Sequence, residues 1–329
     1  MNLIYQLPES LDHPLVRGQY ALYTPPIEEF IATVCEWIDS RVTGGYIYGV
    51  SRLGKSRAVR FWVERRLSEK YHGQLPFFRM VYKRHDRFSE FELLQELLEA
   101  SRHRYGKSKN RNIMLDRLAR FYAMRAKNAG GNHVVLMIDE AQDMRDPEYR
   151  TICNLQNALD SLGYQLTVIS VGSHELTYQH EVFIQTGDIH LIARFMVRDA
   201  PFRGIRNAAE LRFVLDGYDA DTEWPEKSGI SYTHYFFPQA FAGGFRIAKY
   251  SRELWSIFAE MGPHNPGYKL DVPMEHIAKT VEGIFRNFSD DRMVGEELTQ
   301  SDLAGEIEKT AYRRHMRAIS YIPSAARGQ

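Results

Sequence analysis

The sequence predicts an α/β protein: a parallel sheet with helices on both faces, followed by a smaller, mainly helical unit. Three observations predict it. Strand-like and helix-like runs alternate through the first 205 residues. One run, His133-Val-Val-Leu-Met-Ile138, is apolar without alternation, as expected of a parallel strand buried on both faces. After about residue 205 helical periodicity dominates.

In chain order, a lead-in over 1–25 precedes an α/β domain over 26–205. Its first strand, Gly45-Tyr46-Ile47-Tyr48, ends in a glycine loop, after which Val59, Trp62, Val63 and Leu67 recur at helical spacing. Leu75 to Lys83 reads as a second strand, the run ending at Ile138 as a third, Leu166 to Gly172 as a fourth, and a fifth is expected after Arg194. Helical patterns fill the gaps at Ser89 to His103, Ile113 to Ala129 and Tyr149 to Leu162, with Ser89 and Glu92 spaced as a capping box. The first two of these form a helical insertion near 85–130. The second unit, 206–290, draws on Ala208 to Leu215, Arg246 to Met261 and Met274 to Phe288, and a C-terminal helix and tail occupy 291–329. Its aromatic stretch, Tyr232-Thr-His-Tyr-Phe-Phe, is read as packing.

Composition narrows the function classes. With 329 residues and 44% hydrophobic content the chain can bury a large core. No apolar run approaches the ~20 residues of a membrane span, and the N-terminus lacks a secretory pattern, so no membrane partner and a cytoplasmic location are expected. Cys35 and Cys153 lack metal-site spacing. The 42 basic and 42 acidic residues balance, but unevenly along the chain. Arg102 to Lys127 holds nine bases and one acid, and Glu253 to Glu308 twelve acids and four bases. Any nucleic-acid surface is therefore local and in the first half.

The chemistry begins at Gly49-Val50-Ser51-Arg52-Leu53-Gly54-Lys55-Ser56, a GxxxxGK[ST] loop between strand and helix. Its glycines let backbone N–H groups, from Gly49 through to Arg57 at the helix start, face phosphate oxygens. Lys55 meets the β/γ charge, and the Ser56 hydroxyl reaches Mg²⁺. Ninety residues on, the third strand delivers Asp139 and Glu140, the form of a Walker B motif: Asp139 to hold magnesium, Glu140 to polarise the attacking water. Cofactors ATP and Mg²⁺ follow. The fourth strand ends in Ser170-Val-Gly-Ser173-His174, where either hydroxyl can position water or γ-phosphate, with Ser173 preferred. Arg194 is a candidate to stabilise the γ-phosphate of a neighbouring subunit, and Arg246 to bridge the second unit to the nucleotide.

These motifs, with Ile138-Asp139-Glu140-Ala141, Val171-Gly172-Ser173-His174-Glu175-Leu176, Arg194-Phe195 and Gly243-Gly244-Phe245-Arg246 in that order, resemble an AAA+ ATPase with a helical lid. More narrowly, the chain resembles the TnsC/TniB DNA-transposition regulators, including the TnsC proteins of CRISPR-associated transposons. His13-Pro-Leu-Val-Arg17 and Tyr23-Thr-Pro-Pro26 resemble their lead-in, and the likeness covers roughly residues 13–290. It departs at Arg52-Leu53, where small residues are usual, which leaves the phosphate grip intact and bears on nucleotide access. The resemblance implies ATP-bound subunits assembled as a ring or filament on double-stranded DNA, linking a target-selection complex to a transposase until hydrolysis disassembles them. Such subunits grip phosphates with a few cations each; Lys83 and Arg84, and the loop with Lys107, Lys109 and Arg111, are the candidates. The competing readings are a helicase loader or initiator, a STAND-like signalling switch, and a small-molecule kinase.

Overall fold

The computed structural model describes residues 13–103, 110–264, 269–289 and 297–320. Five strands, β1 (Gly44–Tyr48), β2 (Phe77–Val81), β3 (His133–Asp139), β4 (Gln165–Gly172) and β5 (Arg198–Pro201), pair in parallel in the order β2-β3-β4-β1-β5. The second strand is shorter than the expected Leu75 to Lys83, covering only Phe77–Val81. The last residues of β1 and β4 face each other, Tyr48 opposite Gly172, and Val81 stands opposite Asp139. The loops carrying the sequence motifs therefore leave the sheet at one edge, its carboxyl end.

Every residue of β3 is buried. Alternate residues along each central strand serve two separate cores. Ile47, Val135, Met137, Ile169 and Val171 join one, and Tyr46, Tyr48, Val134, Leu136, Ile138 and Val168 the other. On the first face lie α1 (Pro14–Arg17), α2 (Pro25–Asp39) and α3, which runs Lys55–Ala58, passes through a π turn at Val59–Val63 and continues over Glu64–Lys70. The second face carries α4 (Glu90–Ala100), α5 (Arg111–Asn128), α6 (Asp146–Ser161), α7 (Glu175–Thr186) and α8 (Ile189–Phe195). Helix α4 is capped as expected by Ser89, whose hydroxyl accepts from the Glu92 N–H at 3.3 Å.

The chain then continues through α9 (Ala208–Asp216), α10 (Tyr232–Phe236), α11 (Pro238–Ala242), α12 (Ser251–Met261), α13 (Met274–Phe288), α14 (Gln300–Lys309) and α15 (Tyr312–Ser320). Arg246 opens a short 3₁₀ turn, Ile247–Tyr250, rather than the helix itself, because the Asp219 carboxylate takes the Ile247 and Ala248 N–H groups. The aromatic stretch has a partner in the lead-in: the buried His13 ring sits 4.5 Å from Tyr232, 4.8 Å from Tyr235 and Phe236 and 5.7 Å from Trp224. Arg203, buried between β5 and α9, holds Glu29 of α2 and Glu210 of α9, both within 2.8 Å. Among the described residues no helix is long and apolar enough to cross a membrane.

Candidate nucleotide site

A cavity of about 540 Å³ opens at the carboxyl edge of the sheet, within the range of small-molecule sites. Its floor is Ser51 to Arg57; Glu140, Gly172 and Ser173 line the side toward β3 and β4, and Gly18, Tyr20, Ala21 and Leu22 the side toward the lead-in. The remaining wall is α13, which contributes Met274, Glu275, Ala278, Lys279 and Glu282. At 1.5 Å rise per residue, Glu275, Lys279 and Glu282 mark out roughly 10 Å along one helix face, about the length a nucleotide needs from terminal phosphate to sugar.

Gly54 has φ +108°, a region open to glycine, and from it α3 begins with its first-turn residues Lys55, Ser56 and Arg57 lining the cavity, where a helix leaves its N–H groups without intrahelical partners. Arg52 also has a positive φ, +69°, which strains a side-chain-bearing residue. Two contacts to α13 hold it: its carbonyl accepts from the Glu275 N–H at 3.1 Å, and its guanidinium lies 3.5 Å from the Glu275 carboxylate. The departure at Arg52 thus ties the phosphate loop to the second unit. Ser51 adds a link of 3.3 Å to His315 of α15, which contacts His276 of α13 at 2.8 Å.

Lys55 Nζ donates to the carbonyls of Gly49 and Val50, both at 2.8 Å. Burial pulls its pKa down to about 8, opposed by Asp139 and Glu140. Asp139, at the buried end of β3, is pushed above the ordinary carboxylate range by burial, with the neighbouring Ser56 hydroxyl pulling the other way. Hydroxyl and carboxylate oxygens side by side are the donor set a magnesium ion takes when phosphates supply further ligands, so Ser56 and Asp139 fit that ion. Among the described residues no cluster of three or more His, Cys, Asp or Glu competes for it. Glu140, at φ +59°, turns its carboxylate into the cavity, where Gln142 Nε2 donates to it at 2.7 Å. Arg57 ties the loop helix to the lead-in, donating to the Tyr20 and Gly18 carbonyls.

Of the residues singled out from sequence, Ser51 to Arg57, Glu140 and Ser173 line this one cavity, with Asp139 beside it. Gly49 and Val50 lie behind it and hold Lys55 through their carbonyls. Ser170 is buried within the sheet and does not line the cavity. Arg194, at the end of α8, is not among the cavity's lining residues. Arg246 is not either: its Nη1 donates to Phe241 O at 2.9 Å and Phe245 O at 2.6 Å, and its guanidinium covers the Phe241 ring. The second unit's cation at the cavity is Lys279 instead, paired with Glu275. Sequence reasoning missed Lys279, Glu275, Glu282 and Gln142. The first three share one face of the Met274 to Phe288 helix, a charged stripe legible as such, but nothing in its spacing told which surface it meets.

Lys83 and Arg84 follow β2, are exposed and have no carboxylate partner among the described residues. Arg111 opens α5 and pairs with Glu90 at 3.0 Å, so part of its charge is taken. Lys107 and Lys109 lie outside the described residues.

Residues 39–179 match the family described as "AAA domain". No curated protein matches the chain in sequence. Among solved structures the chain is similar to the Aeropyrum pernix ORC2 protein in ADPNP–ADP complexes, with a TM-score of 0.54 at 13% identity over 91% of this chain and 71% of that one. The Aeropyrum pernix ORC1 protein in complex with DNA gives 0.53 at 12%, over 94% and 72%. Drosophila ORC bound to DNA gives 0.50 at 11%, over 96% and 70%. At these identities the likeness is one of fold, an AAA+ P-loop fold, within which residues 39–179 are similar to the AAA domain family.

Proposed function

We propose that the protein is a magnesium-dependent ATPase that assembles, ATP-bound, on duplex DNA without reading its bases and links target-site choice to a transposase. The observation that carries the ATPase reading is the convergence of Lys55, Ser56, Asp139 and Glu140 on one cavity, with Ser173 at the end of the neighbouring strand. In that cavity the loop N–H groups and Lys55 bind the phosphates, and Lys279 adds a cation from the second unit. Ser56 and Asp139 hold the metal, which when bound neutralises charge on the transferred phosphoryl group. Glu140 accepts a proton from the attacking water as its oxygen bonds to the γ-phosphorus and the bond to the β-phosphate oxygen breaks.

Self-assembly is supported by what lies outside the cavity. Around α7 and α8, Tyr178, Val182, Ile184, Ile189 and Val197 are exposed, each by at least 44%, beside Arg194. An apolar patch next to a cation that does not reach its own nucleotide suits a neighbour's site. Lys83 and Arg84, without a carboxylate partner among the described residues, can supply phosphate contacts that repetition in an assembly multiplies. The transposition reading rests on the resemblance of the motif set to TnsC and TniB. A second reading, an initiator or helicase loader, is favoured by the fold likeness to ORC proteins solved with DNA.

Mixing the purified protein with duplexes of unrelated sequence, with and without a slowly hydrolysed ATP analogue, tests this by negative-stain electron microscopy and sedimentation. Nucleotide-dependent rings or filaments on every duplex are the expected result, and Arg194→Ala should abolish them or their ATPase activity. A strong preference for one DNA sequence would favour the initiator reading. A protein that binds ATP, stays monomeric and ignores DNA would refute both.

A further inference from the structure

One side chain in the site is used by neither phosphate nor metal in the chemistry above. Gln142 lies in the 3₁₀ turn Ala141–Asp143 that follows Glu140, and the turn brings its amide back over the Glu140 carboxylate. Nε2 donates to Glu140 Oε2 at 2.7 Å, while Oε1 accepts the backbone N–H of Ser173 at 3.0 Å. Because the Ser173 N–H can only donate, the amide oxygen must face it, which fixes the NH₂ on Glu140; a flipped amide would lose both bonds. The end of β4 is shaped to this arrangement. A Cβ on Gly172 would stand 2.3 Å from Gln142 Oε1 and 3.1 Å from the Gln142 backbone nitrogen.

We infer that Gln142 is a positioning residue for the hydrolytic step: it holds the Glu140 carboxylate against the cavity wall and ties it to the end of β4, leaving Glu140 Oε1 to receive the proton from water. This rests on the ATPase reading above. Gln142 takes no proton itself. Its bond to Glu140 selects one carboxylate rotamer, and its bond to Ser173 N sets the distance between the base and the strand end that bears the Ser173 hydroxyl.

The test is single-turnover and steady-state ATP hydrolysis, with separate measurement of ATP-analogue affinity, for wild type, Q142A, Q142E, E140Q and the double variant E140Q/Q142A. Q142A should lower kcat by at least about tenfold while nucleotide affinity stays within about twofold, since the lost contacts orient the base and do not touch the nucleotide. In the E140Q background Q142A should change nothing further, because it acts through Glu140. Q142E keeps the shape but sets a second carboxylate against Glu140. It donates to Glu140 only while the pair shares a proton, so its activity should peak at lower pH than wild type. A role in stability alone would move neither the pH optimum nor the dependence on Glu140. The inference is overturned if Q142A keeps wild-type kcat, or if Q142A slows E140Q by the same factor as it slows wild type. A wild-type protein that hydrolyses no ATP would instead sink the ATPase reading, and this inference with it.

Discussion

The proposed grip of Lys55 on phosphate predicts a dependence on pH in a range where ordinary loop lysines are indifferent. Burial beside the Gly49 and Val50 carbonyls disfavours the ammonium and brings its pKa to about 8, against an ordinary value near 10.5; Asp139 and Glu140 restrain the fall without cancelling it. Phosphate oxygens bind the protonated form, so the sign is clear: affinity is full well below the folded value and declines as pH rises through it. For a single group the apparent dissociation constant scales as one plus ten to the power of pH minus pKa. From about pH 7 to about pH 9 this factor rises about tenfold. Calorimetric or fluorescence titration of an ATP analogue across that range measures it directly. Lys55→Arg is the control, because a guanidinium stays charged throughout, and its affinity, whatever its absolute level, should not decline. Equal affinity of the wild-type protein from about pH 7 to about pH 9 would refute the assignment of Lys55 as the buried phosphate-binding cation.

Three further outcomes are expected. Glu140→Gln should bind ATP as tightly as wild type and hydrolyse it roughly 10²- to 10⁴-fold more slowly, with DNA-bound assemblies outlasting those of wild type; loss of binding would show the role to be misassigned. Replacing Lys83 and Arg84 together by alanine should weaken binding about equally on unrelated duplexes and lower the salt slope by roughly two, measured by anisotropy across a salt series. His276 is buried, and desolvation first, then His315, brings its pKa down to about 4. With an unfolded value of 6.5, the neutral ring contributes stability that is complete above the unfolded value and is lost as pH falls through the window between the two. The loss is roughly 2 kcal/mol by about pH 5. Urea titrations at about pH 7.5 and about pH 5 should show His276→Gln losing less stability than wild type by about that amount.

Much of the sheet and the catalytic edge was legible because short-range patterns encode them. The unbroken apolar run ending at Ile138 reads as a strand buried on both faces, and the loop from Gly49 to Ser56 stands where a strand meets a helix. The fold class and the AAA domain follow from the same features. What the residues did not disclose is long-range and set by side-chain direction. Arg246 follows two glycines at the start of a helical pattern, as a nucleotide-bridging arginine would, yet aromatic packing on Phe241 and two local carbonyls take up its guanidinium. Lys279, inside an ordinary amphipathic helix, is the cation that arrives. The aromatic stretch at Tyr232 was legible only as packing, because its partner, His13, lies more than two hundred residues earlier.

The cavity's charge pattern explains why its two halves belong together. Arg52, Lys55, Arg57 and Lys279 line one cavity together with Glu140, Glu275 and Glu282, and Glu275 alone contacts both Arg52 of the loop and Lys279 of α13. Glu275 is half-buried, and its carboxyl is held below the usual range by these cations despite burial. A triphosphate entering the cavity carries the same sign as Glu275 and competes for the same two cations. The ion pairs that join loop to second unit are therefore the ones nucleotide must rearrange, and the Ser51–His315–His276 contacts extend that junction to the C-terminal helix. Nucleotide binding and the placement of the second unit are in this way parts of one electrostatic balance, which is what the proposed ATP-dependent assembly would require.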